Sequence, residues 1–225
     1  MAKRGLKAQP PAKRTILIRR LYLDLIGLPP KEQLQDERRW EAIVGELLLS
    51  PYYGERWARH WMDIWRYSDW YGLGDEVRDS QKQLWRWRDW IVTSLNENIG
   101  YDQMVREILA ADEITPRNLE TVAATGFLAR SYYIFNRTTW LDNTVEHTGK
   151  AFMGLTMNCA KCHDHKYDPI DHLDYYKFRA IFEPYHVRVD AMPGELDLAK
   201  NGITRVYDGN LGATTYLHER GDESK

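Results

Sequence analysis

The chain has 225 residues, of which 43% are hydrophobic and 28% are charged, and this composition excludes a disordered chain. Its length allows one large domain with a sizeable core, and its formal net charge of −2 gives no reason to expect a nucleic-acid partner. No stretch reaches the roughly 20 apolar residues of a membrane helix, so we predict no membrane span in this chain.

Apolar residues at helical spacing recur along most of the chain, so the sequence predicts a mainly α fold, a multi-helix bundle. Residues 1–14 are basic and contain two prolines, which indicates a solvated linker. The predicted helices cover about 15–25, 36–49, 54–68, 80–96, a helix capped by Asp102, 117–130, 140–157 and 172–182. We expect 15–183 to form the helical domain.

From residue 184 the pattern changes to short alternating segments separated by glycine and aspartate. The segments 187–189, 203–207 and 214–217 read as a few strands or an extended tail. We therefore expect 184–225 to be a short irregular or β-like C-terminal extension that leads toward a following domain.

The third predicted helix carries a tryptophan stripe at i, i+4 and i+8, formed by Trp57, Trp61 and Trp65. His60 and Asp63 flank this stripe, and Arg66 lies three residues after Asp63. The stripe either belongs to the core with an Asp63–Arg66 ion pair beside it, or borders a site in which His60 binds iron or substrate. All three polar residues are candidate catalytic groups.

Two further stretches have more than one interpretation. Residues 69–81 contain glycines and acidic residues and are predicted to be a loop, either a lid or a plain surface connection. Around Trp85 and Arg86, basic and aromatic side chains interleave. Such residues suit an anionic ligand such as a haem propionate, or an arginine stacked on tryptophan at the surface.

Both cysteines of the chain lie in one motif, Cys159-Ala-Lys-Cys162-His163. This is the spacing used to attach a c-type haem, in which two thiols add to the haem vinyl groups and the next imidazole binds the iron. We predict Cys159 and Cys162 as thioether positions and His163 as the proximal metal ligand. The alternatives are a zinc site formed by both cysteines and one or two of His163, His165 and His172, or a thiol pair without a ligand.

Several residues are candidates for the opposite side of the iron. His60 ranks first, followed by His165 and His147, while the helical methionines Met153 and Met157 are more typical of core packing. The motif is followed by a dense polar cluster of candidate catalytic residues: Asp164, His165, Lys166 and Asp168. In an electron-transfer protein these groups would tune the reduction potential, and in a haem enzyme they would carry protons.

Three segments resemble the planctomycete cytochrome-c-like domain, a domain of unknown function. They are the stretch from Arg19 to Pro30, the stretch from Glu55 to Trp61 with Asp63, Arg66 and Tyr67, and the stretch from Leu155 to Pro169 followed by Asp174-Tyr175-Tyr176. The resemblance runs from about residue 16 to residue 220. It implies a module of a large exported, periplasmic protein, with a cytochrome c domain of the same parent chain as a redox partner and a link to polysaccharide breakdown.

The sequence therefore predicts a haem c-binding redox module, serving electron transfer or haem enzymology. The start of the chain has no apolar segment of a signal peptide, so we expect an excised piece of the larger protein. Two alternatives stay open. One is a zinc-binding structural or hydrolytic module, and the other is an aromatic-rich scaffold that docks carbohydrate or neighbouring domains.

Overall fold

The computed structural model describes residues 10–31, 37–69 and 82–224. Most of the predicted basic linker, the predicted helix start at Asp36 and residues 70–81 of the predicted loop lie outside this range. The described chain is mainly α-helical with one small antiparallel sheet near its C-terminal end, which confirms the predicted fold class. Within the described residues, no helix is both long and apolar enough to cross a membrane.

The first half of the chain forms five helices within the described residues. These are α1 (Arg14–Leu25), α2 (Trp40–Leu48), α3 (Pro51–Trp65), α4 (Trp85–Asn96) and α5 (Tyr101–Ile114). Pro51 is the first residue of α3, where a proline lacks no needed amide and its fixed φ suits the helix. The pair Ser50-Pro51, predicted to end α2, therefore also begins the next helix.

The second half contains shorter elements. They are α6 (Leu119–Val122), a 3-10 turn (Ala123–Thr125), α7 (Gly126–Ala129), α8 (Arg137–Thr148), a π-helical turn (Gly149–Met153), a 3-10 turn (Asn158–Lys161), α9 (His172–Ala180), β1 (Tyr185–Ala191) and β2 (Gly202–Asp208). The predicted helix over 140–157 thus stops at the π turn, and Gly154, with φ of 66°, reverses the chain. The predicted third strand at 214–217 is not a strand.

Side-chain caps explain where several helices begin. The side chain of Asn136 accepts a hydrogen bond from the amide of Thr139 at 2.8 Å, so α8 begins inside a stretch predicted to be a loop. Asp171 accepts from the amide of Asp174 at 2.7 Å, as predicted for α9. The predicted cap at Asp102 is wrong, because α5 begins after Gly100.

The main core is rich in tryptophan. Trp65, Trp87 and Trp140 are fully buried, and the ring of Trp65 lies 5.0 Å from that of Trp61 and 6.5 Å from that of Phe152. The stripe of α3 therefore enters the core at its C-terminal end, while Trp57 at the other end is 36% exposed. Helices α1 and α2 bury a smaller cluster of their own, made by Ile18, Tyr22, Ile43 and Leu47.

The C-terminal hairpin belongs to the main core. Ile203 and Val206 of β2 are buried in it, and the amide of Val206 donates to Thr125 Oγ1 at 3.2 Å. Arg86 stacks on the Trp85 ring at 4.4 Å and donates to the carbonyl of Gly202 at 2.9 Å, so this guanidinium holds the hairpin. Residues on both sides of position 184, such as Phe182 and Ile203, therefore share one core.

Asp112 is a buried carboxyl near the end of α5, where the backbone kinks at Ala110. Its Oδ1 is buried and has no hydrogen-bond partner among the described residues. The pKa of Asp112 is raised to about 6 from an ordinary value of 3.8. Burial is the main cause, and repulsion from Asp208 adds to it. The folded state therefore favours the protonated form, and the stability that this form contributes is lost as the pH rises through about 6.

We predict that Asp112→Asn removes this pH dependence. Between pH 4 and pH 8 the free energy of unfolding of the variant should rise relative to the unmodified chain by about 2 kcal/mol, because only the carboxylate bears the cost of burial. Urea unfolding at the two pH values measures the difference. Asp63→Asn, at an exposed position of α3, is the control, and an equal pH profile for Asp112→Asn and the unmodified chain would contradict the account.

Candidate functional site

The two cysteines lie on a tight turn at the surface. The amides of Cys162 and His163 both donate to the carbonyl of Cys159, at 3.2 and 3.3 Å. Ala160 between the cysteines is fully buried and anchors the turn, whereas both thiols are free and belong to exposed residues. The turn therefore presents both cysteines at the surface from a fixed backbone.

His163 is exposed, and its Nδ1 lies 2.8 Å from the carbonyl oxygen of Asp164. A carbonyl oxygen only accepts, so Nδ1 carries the proton and donates it. In the neutral ring, Nε2 then carries the lone pair. Metal-binding histidines commonly use this arrangement, in which a backbone carbonyl fixes the tautomer and the other nitrogen is left for the metal.

His165 has the opposite tautomer. Its side chain is 7% exposed, and its Nδ1 accepts the amide of Asp168 at 2.9 Å, while its own amide donates to the carbonyl of Ile170 at 2.8 Å. Because Nδ1 accepts, the proton of the neutral ring is on Nε2. His165 therefore closes the 165–170 loop, and neither ring nitrogen offers a free lone pair.

The remaining polar residues of this loop, Asp164, Asp168 and Lys166, each make a different contact. Asp164 accepts from the amide of His172 at 2.9 Å, which ties the loop to the start of α9. Asp168 lies 3.3 Å from the ring of His165. The amine of Lys166 lies over the exposed ring of Tyr167, 5.2 Å from its centroid. Lys166 is thus an exposed member of the predicted polar cluster, and Asp164 is exposed as well.

Asp142 of α8 is the centre of the interactions that hold the turn. Its carboxylate accepts from Lys161 at 2.6 Å and from the Tyr175 hydroxyl at 2.7 Å, and it pairs with Arg179 at 3.4 Å. Arg179 is 4% exposed and also donates to Glu183 at 3.3 Å. Burial and the neighbouring Asp142 raise the pKa of Tyr175. One carboxylate therefore joins α8, the cysteine turn and α9.

A second set of contacts fixes the carbonyl of Lys161. His172 Nε2 donates a hydrogen bond to this carbonyl oxygen at 2.8 Å, and the Tyr176 hydroxyl donates a second one at 3.1 Å. The ring of Tyr176 also lies 5.2 Å from that of His218, which is buried and whose Nδ1 has no partner among the described residues.

The C-terminal turn over 218–222 lies against the second thiol. A side-chain carbon added to Gly221 would lie 2.6 Å from Cys162 Sγ, and the φ of Gly221 is +80°. Only glycine fits this approach without displacing the turn. This turn could not be predicted from the sequence, since its one local signal is a glycine in a polar tail.

The structure brings together Arg66 and His147, two candidates predicted separately. Arg66 ends α3 with a left-handed φ of 59°, and its guanidinium donates to the ring of His147, where the same nitrogen contacts both Nδ1 and Nε2. Burial and the charge of Arg66 lower the pKa of His147 to about 4. His60 and Asp63 stay on the exposed side of α3, with the His60 ring 5.4 Å from that of Trp57.

The two methionines considered as iron ligands differ in exposure. Met157 is 4% exposed and packs on Gly149, whereas Met153 is exposed at the end of the π turn. Among residues 10–31, 37–69 and 82–224, no three histidine, cysteine or acidic side chains lie together as a metal-binding group.

A family comparison matches residues 1–187, most of the chain, to PSCyt2: Protein of unknown function (DUF1549). The chain belongs to the PSCyt2 family. The match includes the cysteine turn, the 163–170 loop and α9, whereas β2 and the 218–222 turn follow the PSCyt2 segment. No curated protein and no solved structure matches the chain.

We predict that Asp142→Ala lowers the free energy of unfolding by about 2–3 kcal/mol, because buried Arg179 then loses one of its two carboxylate partners. Urea unfolding measures this loss. Asp174→Ala is the matched control. It removes an exposed ion pair with Lys177 on α9, the helix that carries Arg179, and should change stability little. Equal effects of the two substitutions would contradict the central place of Asp142.

Proposed function

We propose that this chain is a haem c-binding redox module. The observation that supports this most is the pairing of two free, exposed thiols with an adjacent histidine whose tautomer leaves Nε2 for a metal. Cys159 and Cys162 would hold the haem through thioether bonds, and His163 would bind its iron. Bound haem would supply one-electron chemistry at iron.

The surrounding residues fit a supporting role. Asp164 keeps the His163 ring in one tautomer through its carbonyl and fixes the loop through its carboxylate. Asp142, through Lys161, holds the cysteine turn on α8 and α9. Lys166 is an exposed charged group of this loop that can meet solvent or a partner. These groups would set the polarity around the haem.

For the opposite side of the iron, His60 stays our first candidate. The ring nitrogens of His165 and His147 are engaged by an amide and by Arg66, and Met157 is packed in the core. His60 is exposed and rests on Trp57.

The finer identity belongs to the same proposal. We infer a cytochrome-c-like domain of the planctomycete type, exported to the periplasm, because haem is normally attached to thiols outside the cytoplasm. Its electron partner would be a cytochrome c domain of the same parent chain or a separate redox protein, and a role in polysaccharide breakdown follows from the resemblance of the sequence.

The proposal is tested by producing the chain together with a haem-attachment system. A denaturing gel stained for haem peroxidase activity and a visible spectrum report covalent haem. We expect a stained band and a Soret band that both disappear in the Cys159→Ser/Cys162→Ser double variant. Equal staining of the two proteins, or zinc in elemental analysis without a Soret band, would contradict the proposal.

Neighbouring histidines provide a sharper prediction. His163→Ala should change the Soret spectrum of the loaded protein, because it removes the imidazole with the open Nε2. His165→Ala should leave the spectrum unchanged and lower the free energy of unfolding by about 1–2 kcal/mol, because two loop amides lose their acceptor. Visible spectra and urea unfolding of both variants separate these roles, and a spectral change confined to His165→Ala would reverse the assignment.

A third variant tests the opposite ligand. If His60 binds the iron, His60→Ala should shift the oxidised spectrum of the loaded protein, whereas Asp63→Asn, one turn along the exposed side of α3, should not. An unchanged His60→Ala spectrum removes His60 from the site and leaves the rest of the proposal standing.

A further inference from the structure

The cysteine turn has the geometry of a pair that can close a disulfide. Because the amide of Cys162 donates to the carbonyl of Cys159 at 3.2 Å, the two α-carbons bracket a four-residue turn and lie within about 7 Å. Disulfides bridge α-carbons about 4.4–6.8 Å apart. Both sulfurs are free and both residues are exposed, so an external oxidant has access.

The two thiols differ in their surroundings. Cys162 Sγ has the backbone of Gly221 packed against it, and the 218–222 turn is held there by the contact of His218 with Tyr176. Cys159 lies at the start of the 3-10 turn, and Lys161 of the same turn is fixed by Asp142. Both residues are exposed, but the sulfur of Cys162 has the 218–222 turn on one side, so an incoming disulfide has freer access to Cys159.

From these two observations we infer a second activity, which does not depend on haem. The unloaded chain carries out thiol–disulfide exchange, with Cys159 as the attacking thiol and Cys162 as the resolving thiol. The substrate class is a small-molecule or peptide disulfide that fits an exposed turn. Exposed disulfides are the labile, exchangeable class rather than the structural one.

The exchange balances in two steps with glutathione disulfide as the probe. The Cys159 sulfur forms a bond to one glutathione sulfur as the glutathione S–S bond breaks, and the thiol proton goes to the departing glutathione. The Cys162 sulfur then bonds to the Cys159 sulfur, and the second glutathione leaves as a thiol with the Cys162 proton. The two cysteines are oxidised by two electrons, and the glutathione disulfide is reduced.

The test uses the full chain produced without a haem-attachment system and incubated with glutathione disulfide. Acid quenching, alkylation and peptide mass spectrometry give the occupancy of each thiol with time. We expect an intramolecular disulfide in the unmodified chain and a lasting glutathione adduct on Cys159 in Cys162→Ser. The adduct on Cys162 in Cys159→Ser should form at least about tenfold more slowly. Absence of the intramolecular disulfide, or equal adduct rates in the two variants, would overturn the inference.

A glycine pair tests the role of the tail turn. Gly221→Ala should displace this turn and raise the adduct rate at Cys162, measured in the Cys159→Ser background. Gly194→Ala is the matched control, because Gly194 also has a positive φ, +85°, but has open space around it. Equal Cys162 rates in the two alanine variants would show that the turn does not protect the thiol and would overturn the assignment of roles.

Discussion

The carboxylate of Asp142 is the interaction on which the rest of the site depends. It gathers an amine, a phenol and a guanidinium from two other segments, and the buried charge of Arg179 is stable only when such a partner faces it. Through Lys161 it fixes the cysteine turn, and through Tyr175 and Arg179 it fixes α9. The two thiols thus stand on a backbone that cannot shift independently of the helical core.

Hydrogen bonds to the backbone give His163 and His165, which follow the cysteine turn, different chemistry. His163 donates from Nδ1 to a carbonyl, and His165 accepts at Nδ1 from an amide, although only one residue separates them. The first ring offers a lone pair to a metal, and the second stabilises a loop. The proposed haem module and the proposed dithiol activity both use the same exposed turn, the first after and the second before haem attachment.

Local signals predicted the helical architecture well, because periodic apolar residues and caps such as Asp171 act within one element. The sequence also placed the cysteine turn, since both cysteines and His163 are adjacent in it. It could not predict that Asp142 and Gly221 border the cysteine turn, or that His147 contacts Arg66. These contacts join residues that are far apart in sequence and meet only when the core forms.

The most direct test of the account is the tautomer of each ring in the unloaded, ¹⁵N-labelled chain, read by long-range proton–nitrogen correlation NMR at pH 8. The account predicts that His163 carries its proton on Nδ1, and that His165 and His172 carry theirs on Nε2. A His163 proton on Nε2 would contradict it, because that nitrogen would then have no lone pair to offer a metal.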